Sequence, residues 1–311
     1  MEIKANDVKN LIPEKLSTLC DDIREKILDG VLKCGGHLSS NLGMVELTVA
    51  LHYVFNFPKD KLIFDVGHQC YAHKILSGRG DKFDTLRKKN GLSGFPKREE
   101  SVFDCYNTGH AGTSISAALG MAKARDILGE DYNVIALIGD GSFNNGLIYE
   151  AFNSLKPLNS RILVIINDNG MSISPTVGSM HDYLFSLEDK YFDKNKVSKH
   201  SDIFEHFGFE YDGVYDGNDV LKMVEKLSEI KEKLKTKSVI LHVNTKKGKG
   251  YNFCEENPEA THGVSSKYSK ALESEYSEVL GSTLCDLANE NKNIVVVTAA
   301  MTGALGLSKF F

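Results

Sequence analysis

Two short stretches combine residue types that together can hold a metal-bound diphosphate. Gly139-Asp140-Gly141-Ser142 follows directly on the apolar run at 134–138, and Asn167-Asp168-Asn169-Gly170-Met171-Ser172 follows the apolar run at 162–166. If both runs are strands of one parallel sheet, Asp140 and Asn169 stand at neighbouring carboxyl ends, where a carboxylate and an amide oxygen can share one Mg²⁺. Magnesium takes hard oxygen ligands in octahedral geometry, usually one or two from side chains and the rest from water and phosphate. Gly141 and Ser142 carry little bulk, so backbone N–H groups at the start of the next helix can approach a diphosphate. Two other readings use the same residues. Gly139-x-Gly141 after a strand, with Asp168 ending the next, is close to a dinucleotide fingerprint, although Asn144 occupies the third glycine position and Asp140 would repel a pyrophosphate without a cation. The other is a plain turn at Gly-Asp-Gly with Asn169 an ordinary loop residue.

Histidine supplies a second set. Gly36-His37, Gly67-His68, Gly109-His110 and His262-Gly263 each place an imidazole beside glycine in a loop. If these loops converge, their rings can move protons and hydrogen-bond oxyanions near neutral pH, which suits carbonyl chemistry; a solvated surface histidine is the alternative for each. His52, inside an apolar helical stretch, and His242, inside a strand-like run, read as packed structural residues. The basic stretch Lys246-Lys247-Gly248-Lys249-Gly250-Tyr251 lies on the same rim as the other strand ends. Tyr251 can offer a ring or hydroxyl to a ligand, with glycines allowing the approach, or the stretch is a solvated charged loop.

The elements that must position these groups follow from hydrophobic periodicity. Residues 16–32 carry apolar side chains at helical spacing, with Gly30 and Cys34-Gly35-Gly36 closing the pattern, and a second helix is expected over 44–54 before a short strand at 62–66. Three runs rich in β-branched residues, 134–138, 162–166 and 239–243, alternate with helical patterns at 146–155 and 220–234. Together they predict an α/β fold, an open and mainly parallel sheet with helices on both faces. Such sheets bind ligands at the carboxyl ends of their strands. Further along, a helix over 276–291 and a strand over 293–298 read as the start of a second domain, giving a division at 1–265 and 266–311.

With 311 residues the chain can bury a large core, and 41% hydrophobic against 25% charged residues is ordinary for a globular protein. A net charge of −5 gives no electrostatic footprint for nucleic acid or an anionic membrane, which leaves a small-molecule partner. Six scattered cysteines without a C-x-x-C pair fit reduced thiols. No apolar run approaches the roughly 20 residues that span a bilayer, and the expected location is cytoplasmic.

Taken together, Gly35-Gly-His-Leu-Ser-Ser-Asn-Leu-Gly, Phe64-Asp-Val-Gly-His-Gln-Cys-Tyr-Ala-His-Lys-Ile-Leu-Ser-Gly-Arg, Thr108-Gly-His-Ala-Gly-Thr-Ser-Ile-Ser, Gly139-Asp-Gly-Ser and Asn167-Asp-Asn-Gly-Met-Ser-Ile-Ser resemble the 1-deoxy-D-xylulose-5-phosphate synthases, thiamine-diphosphate enzymes related to transketolase. The resemblance runs along essentially the whole chain, and its second and last stretches separate these synthases from ordinary transketolases. It implies that Asp140 and Asn169, with the backbone oxygen of Met171, hold Mg²⁺. It further implies that Gly141 and Ser142 cradle the diphosphate of thiamine diphosphate, which Asn169 also touches, and that His68, Gly109, His110, Ala111 and Tyr251 line the cofactor. His37, His110 and His262 would serve proton transfer. The implied reaction joins pyruvate, with loss of its carboxylate, to glyceraldehyde 3-phosphate, in a homodimer.

The sequence also departs from that pattern. Proteins of the family are about twice as long, and the glutamate that activates the aminopyrimidine ring lies in a second domain. The chain is therefore expected to be incomplete alone and to need further C-terminal domains or a partner subunit. The segment between Met180 and Ile203 is short, and Gly303 stands where the family has an acid. A different transketolase-like activity, a nucleotide-dependent oxidoreductase and a non-catalytic binding subunit are the competing readings.

Overall fold

Along 134–138 the side chains of Val134, Ala136 and Ile138 join one buried apolar cluster while those of Ile135 and Leu137 join another. That is the period of a strand covered on both faces, and it is why the run is apolar without interruption. The computed structural model describes residues 7–173, 175–192, 203–266, 276–298 and 301–311. Its strands are β1 (Gly36–His37), β2 (Lys61–Phe64), β3 (Val134–Gly139), β4 (Leu163–Asp168), β5 (Phe209–Asp216), β6 (Ser238–Asn244) and β7 (Gly263–Val264). The helices are α1 (Leu16–Cys34), α2 (Ser39–Leu42), α3 (Val45–Val54), α4 (Tyr71–Lys74), α5 (Ser114–Leu128), α6 (Asp140–Phe143), α7 (Gly146–Leu158), α8 (Ser179–Phe192), α9 (Ile203–Phe207), α10 (Val220–Lys233), α11 (Asn252–Glu256) and α12 (Tyr276–Glu290).

Five strands form one sheet in the order β2-β3-β4-β6-β5, every pair parallel. Apolar residues of α1, α3 and α10 cover one face and those of α5, α7 and α9 the other, as the alternation of apolar runs predicts. The register sets Gly139 beside Asn167 and Asp168 beside Asn244, so the loops after β3, β4 and β6 open at one level. Leu137 is fully buried between the layers, and truncating such a residue to alanine costs about 2–5 kcal/mol.

The structure corrects several local expectations. Gly30 does not end the first helix, which runs on to Cys34; the glycine serves packing instead, since a Cβ there would lie 2.4 Å from Phe83 Cδ1. The expected strand at 62–66 pairs only to Phe64 before Val66 turns to φ 59°. Strand β5 has no apolar run to announce it: it is an edge strand whose Phe209 and Val214 are buried while Glu210 and Asp212 pair with Lys233 on α10. The strand expected over 293–298 does not form. Among the described residues no strand lies beside it, and Val295 and Val297 are 82% and 91% exposed. A strand is stabilised by a ladder partner, and this segment has none. Only Gly281 of α12 is buried, against the backbone of Gly306. The expected domain division adjoins residues 267–275, and the short segment after Met180 runs into residues 193–202; both ranges lie outside the described residues.

All six cysteines are free thiols. No helix among the described residues is long and apolar enough to cross a membrane.

Candidate active site

The carboxyl ends of β2, β3, β4 and β6 surround a cavity of about 380 Å³. Asp140, Gly141 and Ser142 reach it from β3, Asn167, Asn169 and Met171 from β4, and Lys247 from β6, with His37, His68 and His262 completing much of the wall. Among the described residues, five buried polar atoms on its lining have no hydrogen-bond partner: His37 Nδ1, His68 Nδ1, Gln69 Oε1, Asp140 Oδ1 and Asn169 Oδ1. Buried polar groups in folded proteins are almost always satisfied, so this concentration of orphans marks a place built for a polar ligand. A comparable concavity between α1 and the segment around Phe83 is rimmed by Asp22, Glu25, Lys26 and Asp29 and contains no such atom.

At the β3 and β4 ends the orphaned atoms are oxygens. Asp140 is 2% exposed; its Oδ2 accepts a hydrogen bond from Thr176 Oγ1 at 2.7 Å, leaving Oδ1 free. Burial, with the negative charge of Asp168 beside it, pushes the Asp140 carboxyl up to about 7. A cation at Oδ1 would reverse that shift, because opposite charge favours the ionised form. Asp168 is turned away to a supporting role: Oδ2 lies 3.2 Å from His242 Nε2 and Oδ1 accepts from the Gly170 N–H. Despite the desolvation that burial imposes, these bonds hold Asp168 below the usual carboxylate range. Asp168 therefore does not face the cavity as a ribose-binding carboxylate would. At Gly141 a Cβ would lie 2.9 Å from Ser172 Cβ, so only glycine lets the loops after β3 and β4 pack this closely. Among the described residues no three His, Cys, Asp or Glu side chains form a metal cluster; a divalent cation here would need one carboxylate, amide or main-chain oxygens, and oxygens of its ligand, which is the habit of Mg²⁺.

Elsewhere in the cavity the rings of His37, His68 and His262 form a triangle with centroids 5.2, 5.3 and 5.3 Å apart. The two-residue ladder between β1 and β7 makes it, pairing His37 with Gly263. Burial and the Arg87 charge lower His37 to about 4, and burial, Lys247 and His37 lower His262 to about 4. His68 is held well below its ordinary value by burial and by its two neighbours. All three are therefore neutral at pH 7, able to donate from one ring nitrogen and accept at the other.

Two supports hold these walls. Asp65, buried after β2, accepts the Gly112 and Ser114 N–H groups at 2.9 and 3.1 Å, placing an anion at the start of α5 and bringing Gly109 and Ala111 to the cavity. Phe95 packs edge-on against His37, its centroid 5.9 Å away. The backbone on either side of Phe95 is tied to a buried ion cluster: the Ser93 N–H donates to Glu100 and the Lys97 N–H to Asp104. Arg79 donates to both carboxylates, Lys74 pairs with Glu100, and a chain runs from His52 through His73 to Asp104. His52 and His242 are the packed, hydrogen-bonded residues their apolar surroundings predict.

Two expected site residues stand elsewhere. His110 is exposed and does not line the cavity, although Gly109 and Ala111 on either side do. Tyr251 is half-buried at the start of α11, near Glu25 and Arg24, away from the cavity. From the same basic stretch it is Lys247 that enters: 6% exposed, donating to the Ser172 carbonyl at 2.5 Å, and lowered to about 8 by burial against the opposing charges of Asp140 and Glu259. Its position three residues past β6 was the available signal. Asp65, Phe95 and Thr176 carried none, since their roles depend on contacts far along the chain. Met301 lines the cavity; Gly303 does not.

Comparison with known proteins completes the description. A family profile described as 1-deoxy-D-xylulose-5-phosphate synthase matches residues 2–199 and 188–245. A 1-deoxy-D-xylulose-5-phosphate synthase of Desulfotalea psychrophila is 45% identical over 98% of this chain and 53% of its own length. One of Clostridium acetobutylicum is 43% identical over 98% of this chain and 55% of its own. The chain thus spans about half the length of these relatives. Among solved structures, a transketolase from Campylobacter jejuni superposes with a TM-score of 0.63 at 21% identity, covering 95% of this chain and 47% of that one. Another from Leishmania mexicana gives 0.61 at 20% identity over 82% of this chain and 39% of its own. At such identity these two speak for the fold alone, which is that of the thiamine-diphosphate enzymes.

Proposed function

Because the chain belongs to the 1-deoxy-D-xylulose-5-phosphate synthase family, we propose that it forms the diphosphate- and Mg²⁺-holding half of a transferase that joins pyruvate to glyceraldehyde 3-phosphate. The observation that supports this reading is the pair of buried, unpartnered oxygens, Asp140 Oδ1 and Asn169 Oδ1, in a cavity that also holds three uncharged imidazoles. The residues fit the group: Asp140, Asn169 and the main-chain oxygen of Met171 would hold Mg²⁺, and the backbone at Gly141 and Ser142 would meet the diphosphate. Thiamine diphosphate, when bound, supplies the electron sink for breaking and making bonds beside a ketone.

The protein's part is orientation and proton management. His37, His68 and His262, uncharged at rest, would hydrogen-bond substrate oxygens as donor or acceptor, and a ring that takes a substrate proton carries its positive charge until the proton is returned. Lys247 sets a positive charge where the diphosphate and the acid group of a 2-oxo acid compete for it. His110 and Tyr251 do not line this cavity and take no part in the reading. The remaining contacts to the cofactor we assign to polypeptide outside this chain; the greater length of the relatives and the poorly buried α12 support that assignment. A homodimer in the cytoplasm belongs to the same proposal, and light scattering on the purified protein tests the assembly.

Calorimetric titration of thiamine diphosphate, with and without Mg²⁺, tests the site. Binding that requires Mg²⁺ and disappears in Asp140→Ala is the expected result. Binding indifferent to Mg²⁺, or unchanged in the variant, would overturn the reading.

A further inference from the structure

We propose that Thr176 is a positioning residue that aims the Asp140 carboxylate at the cation; the inference rests on the Mg²⁺ site read above. A carboxylate turns about its Cβ–Cγ bond, so the direction in which one oxygen points is set by whatever holds the other. Here Oδ2 accepts the Thr176 hydroxyl at 2.7 Å and Oδ1 is left buried and unpartnered on a cavity-lining residue.

Thr176 can act as a fixed point because it is itself immobilised. It is 7% exposed, its N–H donates to the Gly170 carbonyl at 3.0 Å, and Met171 bridges Pro175, so the two ends of the loop after Asn169 are tied to each other. Lys247 ties the same loop to the end of β6 through the Ser172 carbonyl. The β-branched Thr176 side chain is stiff at χ1, so with the backbone tied its hydroxyl has few directions to take. The loop begins directly after Asn169. Beside the Asn169 main chain at the same carboxyl, the Thr176 hydrogen bond therefore couples the segment that carries the amide oxygen to the side chain that carries the carboxylate oxygen, two groups contributed by different strands.

The role differs from that of a ligand, since the Thr176 hydroxyl is already engaged with Asp140. Groups that orient metal ligands from behind typically change metal affinity by about 10–100-fold when removed. Replacement by valine keeps the branched shape and removes the donor; replacement by serine keeps the donor and removes a methyl group.

The test is a titration of the whole chain with Mn²⁺ in the presence of thiamine diphosphate, read by electron paramagnetic resonance of free Mn²⁺, for wild type, Thr176→Val and Thr176→Ser. Circular dichroism and thermal melting establish that each is folded. The expected result is Mn²⁺ affinity weakened about tenfold or more in Thr176→Val and within a few-fold of wild type in Thr176→Ser. A folded Thr176→Val that binds Mn²⁺ as wild type does overturns the inference while leaving the site reading intact. A folded Thr176→Ser as weak as the valine variant also overturns it, by assigning the effect to the methyl group. Failure of the wild-type chain to bind Mn²⁺ overturns the site reading and this inference together.

Discussion

His37 and His262 face each other edge to face with ring centroids 5.3 Å apart, joined by the pairing of β1 with β7 near opposite ends of the described fold. Neither loop makes the site alone. The ladder brings two imidazoles together in a desolvated place where neither is positively charged near neutrality.

That placement makes stability depend on pH. In the unfolded chain these histidines titrate near pH 6.5, and in the fold near 4. Between those values the unfolded state binds more protons, so stability rises with pH and is lost as pH falls from about 6.5 towards 4. Each histidine contributes up to about 1.4 kcal/mol per pH unit. Urea denaturation at a series of pH values should show a shallower slope in His37→Gln than in wild type. A proton NMR titration placing His37 near 6.5 in the folded protein would contradict this.

Lys247→Met should weaken thiamine diphosphate binding about 10–100-fold while keeping its dependence on Mg²⁺, because a charge-assisted contact is worth about 1.5–3 kcal/mol and 1.4 kcal/mol is a factor of ten. The same variant leaves the Ser172 carbonyl without its donor, so its melting temperature should also fall. Unaltered affinity by calorimetry would remove Lys247 from the site.

Arg79→Ala should destabilise the fold by about 3–5 kcal/mol, the usual consequence of removing one partner from a buried ion cluster; Asp104 loses the guanidinium bound to both its oxygens and keeps His73, while Glu100 keeps Lys74. Despite desolvation, His73 and Arg79 hold Asp104 well below the usual carboxylate range, so this stabilisation is present above pH 4 and is lost only at strongly acid pH. Urea unfolding at pH 7 measures the effect, and a change below 1 kcal/mol would show the cluster to be dispensable.

Gly30→Ala runs against helix propensity. Alanine is favoured over glycine inside a helix by about 1 kcal/mol, yet here its Cβ meets the Phe83 ring at 2.4 Å. Overpacking of that kind costs about 1–3 kcal/mol, so the variant should melt lower than wild type, and Phe83→Leu in the same chain should restore part of the loss. A higher melting temperature for Gly30→Ala alone would disprove the contact.

Much of the fold was legible because its central strands are buried on both faces. Residues 134–138, 162–166 and 239–243 have to be apolar throughout, and the helices between them have to be amphipathic. Strand β5 escaped notice because an edge strand needs only one buried side, and its Glu210 and Asp212 look like loop until Lys233 is seen across from them. The run at 293–298 misled for the opposite reason: its composition suits a strand, but pairing depends on a neighbour the described residues do not provide.

For the site, local sequence determined the chemistry and tertiary structure determined the geometry. Gly-Asp-Gly and Asn-Asp-Asn after apolar runs set the oxygens of Asp140 and Asn169 at strand ends because residue type and strand period are local properties. That Lys247 lines the cavity and Tyr251 and His110 do not, that Asp168 turns towards His242 and that Thr176 donates to Asp140 depend on strand order and loop closure. Those bring together residues that no local spacing relates, and the low dielectric they create sets the charge each group carries.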